Sequence, residues 1–267
     1  MSFDVGVVVP AVFGGDLIDG IERTAAAGAD AVEFFDWESA DADAVTTACD
    51  EHGIRIAGTL ASGAGANIMA ADEPCMVRPE YHDQAVEDIE RSIAGTAAFG
   101  GTTMIVTVGQ NQSDLDDATQ QNALVDVLRE VAPTAEQHDV TVVPETLNGR
   151  VDHPGYFLQT SMRGFELIKA VDHPHVGLLF DIYHQQITEG DVIRNLTNHI
   201  DLVGHIHIAD NPGRHEPGTG ELDYANIFTA IDETGYDGVV SCEFSPSGDP
   251  DEAVEHVVAL ADRARSS

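Results

Sequence analysis

Apolar positions along this 267-residue chain alternate between two patterns. Short, nearly continuous apolar runs rich in β-branched residues occupy 5–9, 31–35, 54–59, 103–108, 140–145, 176–181, 202–208 and 238–244. Runs of that length and density read as strands covered on both faces, as in a parallel sheet. Between them lie longer amphipathic stretches at 17–27, 41–51, 82–99, 117–137, 162–170, 192–199, 224–233 and 251–264, which read as helices. Several open on acidic first turns and several close on glycine, as at Gly28, Gly53 and Gly235. Eight strand-then-helix units of roughly 33 residues each predict an α/β fold, a single-domain (β/α)8 TIM barrel over 1–267. A doubly wound open sheet would want a glycine-rich phosphate turn after an early strand. The chain has neither that fingerprint nor a P-loop.

Three connections are longer than the topology needs: 61–81, 146–161 and 209–223. All follow strands, which in a barrel places them at the C-terminal face, where active sites lie.

The strand ends carry the candidate chemistry. The run 140–145 finishes on Glu145, the run 176–181 on Asp181, and the run 238–244 carries Glu243 near its end. The run 202–208 carries His205 and His207, two apart and therefore on one face. One such carboxylate could simply emerge into solvent. Four consecutive strands delivering Glu, Asp, His and Glu at spacings of 36, 26 and 36 residues predict a shared rim instead. Three carboxylates packed together need a cation, or their pKa values climb. Three oxygen ligands and one imidazole suit one divalent metal ion, manganese, magnesium or cobalt, with zinc as a further option. Such an ion, chelated by a carbonyl and a neighbouring hydroxyl, would acidify the intervening C–H and favour an enediolate. Glu145 and Glu243 are then the candidate acid–base pair, in addition to being ligands, and Asp181 is the shorter, purely ligating carboxylate. His184 and Arg214 are candidate substrate contacts, the arginine as a carboxylate clamp. His205 is a candidate orienting partner for a ligand. Glu33 and Trp37 are candidate pocket walls.

Charge narrows the partners. Asp and Glu total 47 against 12 Lys and Arg, a formal net charge of −35, with Lys169 the only lysine. Such a surface repels nucleic acid and anionic membrane, and it predicts a halophilic protein from a high-salt cytoplasm, where the self-repulsion is screened. No 18-residue apolar run suggests a membrane span, and Met1-Ser2-Phe3-Asp4 has no basic leader, so a cytoplasmic location is expected. Cys49, Cys75 and Cys242 are too few and too irregular for a zinc motif and read as reduced, packed thiols. Self-association is left open.

The stretches Glu145-Thr146-Leu147-Asn148, Phe180-Asp181-Ile182-Tyr183-His184-Gln185-Gln186, Gly204-His205-Ile206-His207-Ile208-Ala209, the segment 214–224 and Gly235-Tyr236-Asp237-Gly238 together resemble the hydroxypyruvate isomerase family of xylose-isomerase-like TIM barrels. The resemblance is dense from about 140 to 244 and weak in the N-terminal third, including the loop 59–78. It implies carbohydrate metabolism, with hydroxypyruvate converted to tartronate semialdehyde and the metal and acid–base roles falling on Glu145, Asp181, His207 and Glu243. His184 and Arg214 would contact the small hydroxy-oxo acid or sugar substrate. Some members carry Gln where this chain has His207, so that ligand is closer to the ketose 3-epimerase pattern. A 2-oxo-tetronate isomerase, a ketose 3-epimerase, a sugar dehydratase and a non-catalytic sugar-acid sensor are the competing readings.

Overall fold

A computed structural model describes residues 3–70 and 73–266. Residues 71 and 72, within the loop 59–78, and the first two residues of the N-terminal stretch lie outside the described residues. The strands are β1 (Asp4–Val8), β2 (Ala31–Phe34), β3 (Arg55–Leu60), β4 (Ala66–Asn67), β5 (Thr103–Val108), β6 (Thr141–Pro144), β7 (Leu178–Asp181), β8 (Val203–Ile208) and β9 (Val239–Cys242). Apart from the two-residue β4, which adds to β5, these are the eight strands predicted from the apolar runs. Every pairing between them is parallel, in the order β5-β3-β2-β1-β9-β8-β7 with β6 on the far side of β5. Isolated parallel bridges Val142 to Val176 and Glu145 to Leu179 join β6 to β7 and close the ring. The result is the TIM barrel.

The eight predicted helices form within one or two residues of their expected ends, from Leu17–Ala26 to Pro250–Arg265. Their starts follow local chemistry. Asp16, Asp41, Asp116 and Asp223 each accept a hydrogen bond from a first-turn amide, satisfying a donor the helix cannot. Gly53 and Gly235 end their helices with φ of 67° and 77°, a backbone that only glycine adopts without strain. Two short helices were not anticipated. Val9–Val12 extends the first apolar run, and Ile182–Thr188 starts on Asp181, whose side chain caps it. Both run straight on from a strand with no intervening residue, so periodicity does not separate them from the strand.

Inside the barrel the two-residue strand period stacks side chains in layers. Ala31, Ala57 and Val239 form a lower cluster, and Ile105, Val143 and Leu179 a middle one packed on Leu60. Two residues on, toward the C-terminal ends, the same inward positions become Glu33, Thr107, Glu145, Asp181 and, from Val239 through Ser241, Glu243. The interior is thus apolar below and ionisable above. The outer strand faces pack on the helices through a much larger core that includes Phe165, Phe180 and Phe228, all fully buried. Each such ring contributes about 1.5–3 kcal/mol by leaving water.

Candidate active site

Glu145 and Glu243 each stand one residue beyond the end of their strand, Glu145 in an isolated bridge to Leu179, whereas Asp181 closes β7 and His207 lies inside β8. Both glutamates were expected within the strands. In the parallel register Glu145 pairs with Leu179, Asp181 with His207 and His207 with Ser241, so the four positions are staggered around the ring, and their side chains converge at its C-terminal rim. One ligand atom from each of Glu145, Asp181, His207 and Glu243 lies within 4.8 Å of every other. Three of the four residues are buried, and the Glu243 side chain is 14% exposed.

This arrangement is costly without a cation. Burial, reinforced by Glu243, pushes the Glu145 carboxyl well above the usual carboxylate range. Burial also raises Asp181, against the pull of Arg214. Burial would raise Glu243 too, but Arg214 and His207 outweigh it and hold that carboxyl at about 2. Burial would lower the His207 imidazole, yet Glu243 and Glu33 together raise it well above its ordinary value.

Two atoms show how the cluster is completed. Glu145 Oε1 and His207 Nδ1 are both buried and have no hydrogen-bond partner among the described residues. They lie 3.9 Å apart, and His207 Nδ1 is 3.2 Å from Glu243 Oε2. Three carboxylates and one imidazole, with unpartnered donor atoms converging, form a set that a hard or borderline divalent cation fits.

The side chains of His207 and Asp181 and the backbone at Glu145 are held from behind. His207 Nε2 donates to Glu33 Oε2 at 3.1 Å, and the other oxygen of that carboxylate accepts from His205 Nε2 at 2.8 Å. Burial would raise Glu33, but the two imidazoles keep it well below the ordinary value and therefore ionised. Asp181 Oδ1 accepts from the His184 amide at 3.1 Å, leaving Oδ2 for the cluster. Behind Glu145, the Tyr156 hydroxyl donates to the Glu145 carbonyl at 3.1 Å and accepts from the Val108 amide at 2.9 Å. It pins the loop after β6 to β5.

His184 and Arg214 complete the mouth. His184 Nδ1 accepts from Asn148 Nδ2 at 2.6 Å, so in the neutral ring the proton sits on Nε2. Burial and Arg214 hold this imidazole well below its ordinary pKa, and Nε2 lies 3.6 Å from Asp181 Oδ2 without a hydrogen-bond partner among the described residues. Arg214 Nη2 sits 3.4 Å from Asp181 Oδ2 and hydrogen-bonds Glu243 Oε2. Its backbone is left-handed at φ 55°, a conformation uncommon outside glycine. The turn is fastened by Asp210, a fully buried carboxylate that accepts from the Gly218 and Gly220 amides at 2.8 Å and from the Leu222 amide at 3.1 Å.

All seven expected site residues come together here, His205 by way of Glu33. The two expected wall residues part company. Glu33 is the partner of both imidazoles rather than a wall, and Trp37 packs its indole against Gly95 of the helix His82–Ala98, away from the cavity. His153 and Thr107 also line the cavity, and Asn148 and Asp210 brace His184 and the Arg214 turn. Sequence reasoning assigned none of these four a role; Asn148 stood only within a family-like stretch, and Asp210 showed only as an acid following an apolar run.

The cavity above the cluster has a volume of about 190 Å³. That is below the 300–1,000 Å³ typical of drug-sized ligands and suits a molecule of a few carbons. Glu145, His184, His207, Arg214 and Glu243 form one wall, and Phe35, Leu60, Ile68 and Ile105 lie on the other.

Comparison with known proteins places this geometry. A family model described as xylose isomerase-like TIM barrel matches residues 21–263. The 2-oxo-tetronate isomerase of Cupriavidus necator is 36% identical over 230 residues, covering 85% of this chain and 87% of its own length. The hydroxypyruvate isomerase of Escherichia coli is 32% identical over 168 residues, 63% of this chain and 65% of its own. A crystal structure from Brucella melitensis, described as an AP endonuclease of family 2, superposes with a TM-score of 0.86 at 26% identity, covering 97% and 98% of the two chains.

Proposed function

The chain belongs to the xylose isomerase-like TIM barrel family, and from that premise we propose that it is a divalent-metal-dependent isomerase of a short hydroxy-oxo acid, converting hydroxypyruvate to tartronate semialdehyde. The observation that carries this reading is the convergence of Glu145, Asp181, His207 and Glu243 within 4.8 Å beneath a cavity that also holds a neutral imidazole and a guanidinium. A divalent ion held by these four side chains would supply Lewis acidity, offsetting the negative charge that grows on the substrate oxygens.

The protein groups divide the remaining work. Arg214, on the cavity wall, pairs with the substrate carboxylate and orients it. His184 Nε2–H donates to a substrate oxygen and strengthens that contact as charge develops. One of Glu145 and Glu243 removes a proton from the hydroxyl-bearing carbon. The C–H electron pair becomes the double bond of the enediolate, and the other glutamate delivers a proton to the former carbonyl carbon. The hydroxyl proton passes between the two oxygens, so atoms balance and no oxidant is needed. In the reverse direction the two glutamates exchange roles.

The Cupriavidus relative supports the alternative reading, an isomerase of 2-oxo-tetronate, one carbon longer. A nuclease would have to bring a phosphate backbone to a chain of net charge −35 with 12 basic residues, which the electrostatics oppose. The test is product analysis. Chelator-treated protein reloaded with Mn²⁺, Mg²⁺ or Co²⁺ is incubated at molar KCl with hydroxypyruvate, 2-oxo-tetronate and a ketohexose. Isomerised product from the first or second, absent without metal, supports the reading. Turnover of the ketohexose alone would replace it with an epimerase.

A further inference from the structure

The two walls of the cavity differ in chemistry, and one residue breaks the pattern. Phe35, Leu60, Ile68 and Ile105, from the β2, β3 and β5 side, make an apolar surface opposite the ionisable cluster. Among the described lining residues on that side, Thr107 carries the one polar side chain. It is 1% exposed, and its hydroxyl Oγ1 is buried with no hydrogen-bond partner among the described residues. A buried hydroxyl left unpaired is destabilising, and proteins retain such groups where something else satisfies them. A threonine with no structural bond, placed inward two residues above Ile105 and lining the substrate cavity, has that role open to a ligand.

We propose that Thr107 is a substrate-binding and specificity-determining residue, whose hydroxyl hydrogen-bonds a substrate oxygen on the side of the cavity away from Arg214. The inference rests on the isomerase reading for the identity of the substrate, a short hydroxy-oxo acid. It adds that the carbon end facing β3 and β5 must carry an oxygen. Compounds ending there in a methyl group would leave Thr107 unpaired and bind less well.

The test uses the full chain, loaded with Mn²⁺, at molar KCl, as wild type, Thr107→Val and Thr107→Ser. Binding of tartronate, a non-isomerising hydroxy acid, and of its methyl-ended analogue lactate is measured by calorimetry, alongside turnover of hydroxypyruvate. Thr107→Val is expected to weaken tartronate binding and raise KM by about five- to tenfold. It should leave lactate binding unchanged and leave Tm unchanged or higher, since no protein bond is lost. Thr107→Ser is expected to restore most of the tartronate affinity. Equal tartronate affinity in wild type and Thr107→Val overturns the inference, and so does a fall in Tm with lactate and tartronate weakened alike, which marks a packing role. Wild-type protein without turnover, but with the tartronate difference intact, would refute the isomerase reading and leave this assignment standing.

Discussion

Glu33 accepts from His207 Nε2 at 3.1 Å and thereby fixes Nδ1 as the ring atom that faces Glu145 and Glu243. Without that bond the ring could rotate or change tautomer. Partners of this kind tune a ligating imidazole by 10–100-fold in metal affinity. Glu33→Gln keeps the volume and removes the charge, so Mn²⁺ affinity measured by calorimetric titration should fall by about one to two orders of magnitude. Affinity equal to wild type would remove Glu33 from the site.

Asp210 holds the Arg214 loop by gathering amides that would otherwise be unsatisfied. Asp210→Ala strands those donors and should cost about 1–3 kcal/mol, a melting-temperature loss of several degrees for a chain of this size. Because Arg214 hangs from the same turn, KM for the acid substrate should rise more than kcat falls. A variant with wild-type KM would show that the loop is held by other contacts.

The fold was legible because both of its periods are clean. The nearly continuous apolar runs of β5 and β7 and the capped amphipathic helices need no long-range information. The grouping of Glu145, Asp181, His207 and Glu243 was legible for the same reason, since each lies at or near the C-terminal end of such a run. Glu33 was misjudged because its role depends on two imidazoles more than 170 positions away. Thr107 could not be found at all, since it sits within an apolar strand and its significance is the lack of a partner, a property of the packed structure alone.

The three thiols give a pH-dependent signature. Burial, helped by Asp50, pushes the Cys49 thiol up to about 11, and burial raises Cys75 and Cys242 as well. At pH 8 the native protein should therefore label slowly with a thiol-specific disulfide reagent, while urea-unfolded chains release three equivalents. Below about pH 8.5 both states keep these protons. Above it the unfolded thiols ionise first, so stability falls as pH rises toward 11. Rapid stoichiometric labelling of the folded protein at pH 8 would contradict the buried placement.

The net charge of −35 predicts that stability depends on salt. At ~1 M the Debye length is about 3 Å and the mutual repulsion of surface acids is screened. Melting temperature should rise markedly from dilute buffer to 2–3 M KCl. A constant value would show that the acids are already neutralised by local pairing.

The central claim, proton exchange by Glu145 and Glu243 at a metal-binding rim, is tested most directly by proton NMR of hydroxypyruvate with metal-loaded protein in D₂O at high salt. The account predicts deuterium at the hydroxymethyl carbon with wild type. Isomerisation should be lost in both Glu145→Gln and Glu243→Gln by about 10²–10⁴-fold, the usual contribution of a general acid or base. Isomerisation at the wild-type rate in either variant would contradict it.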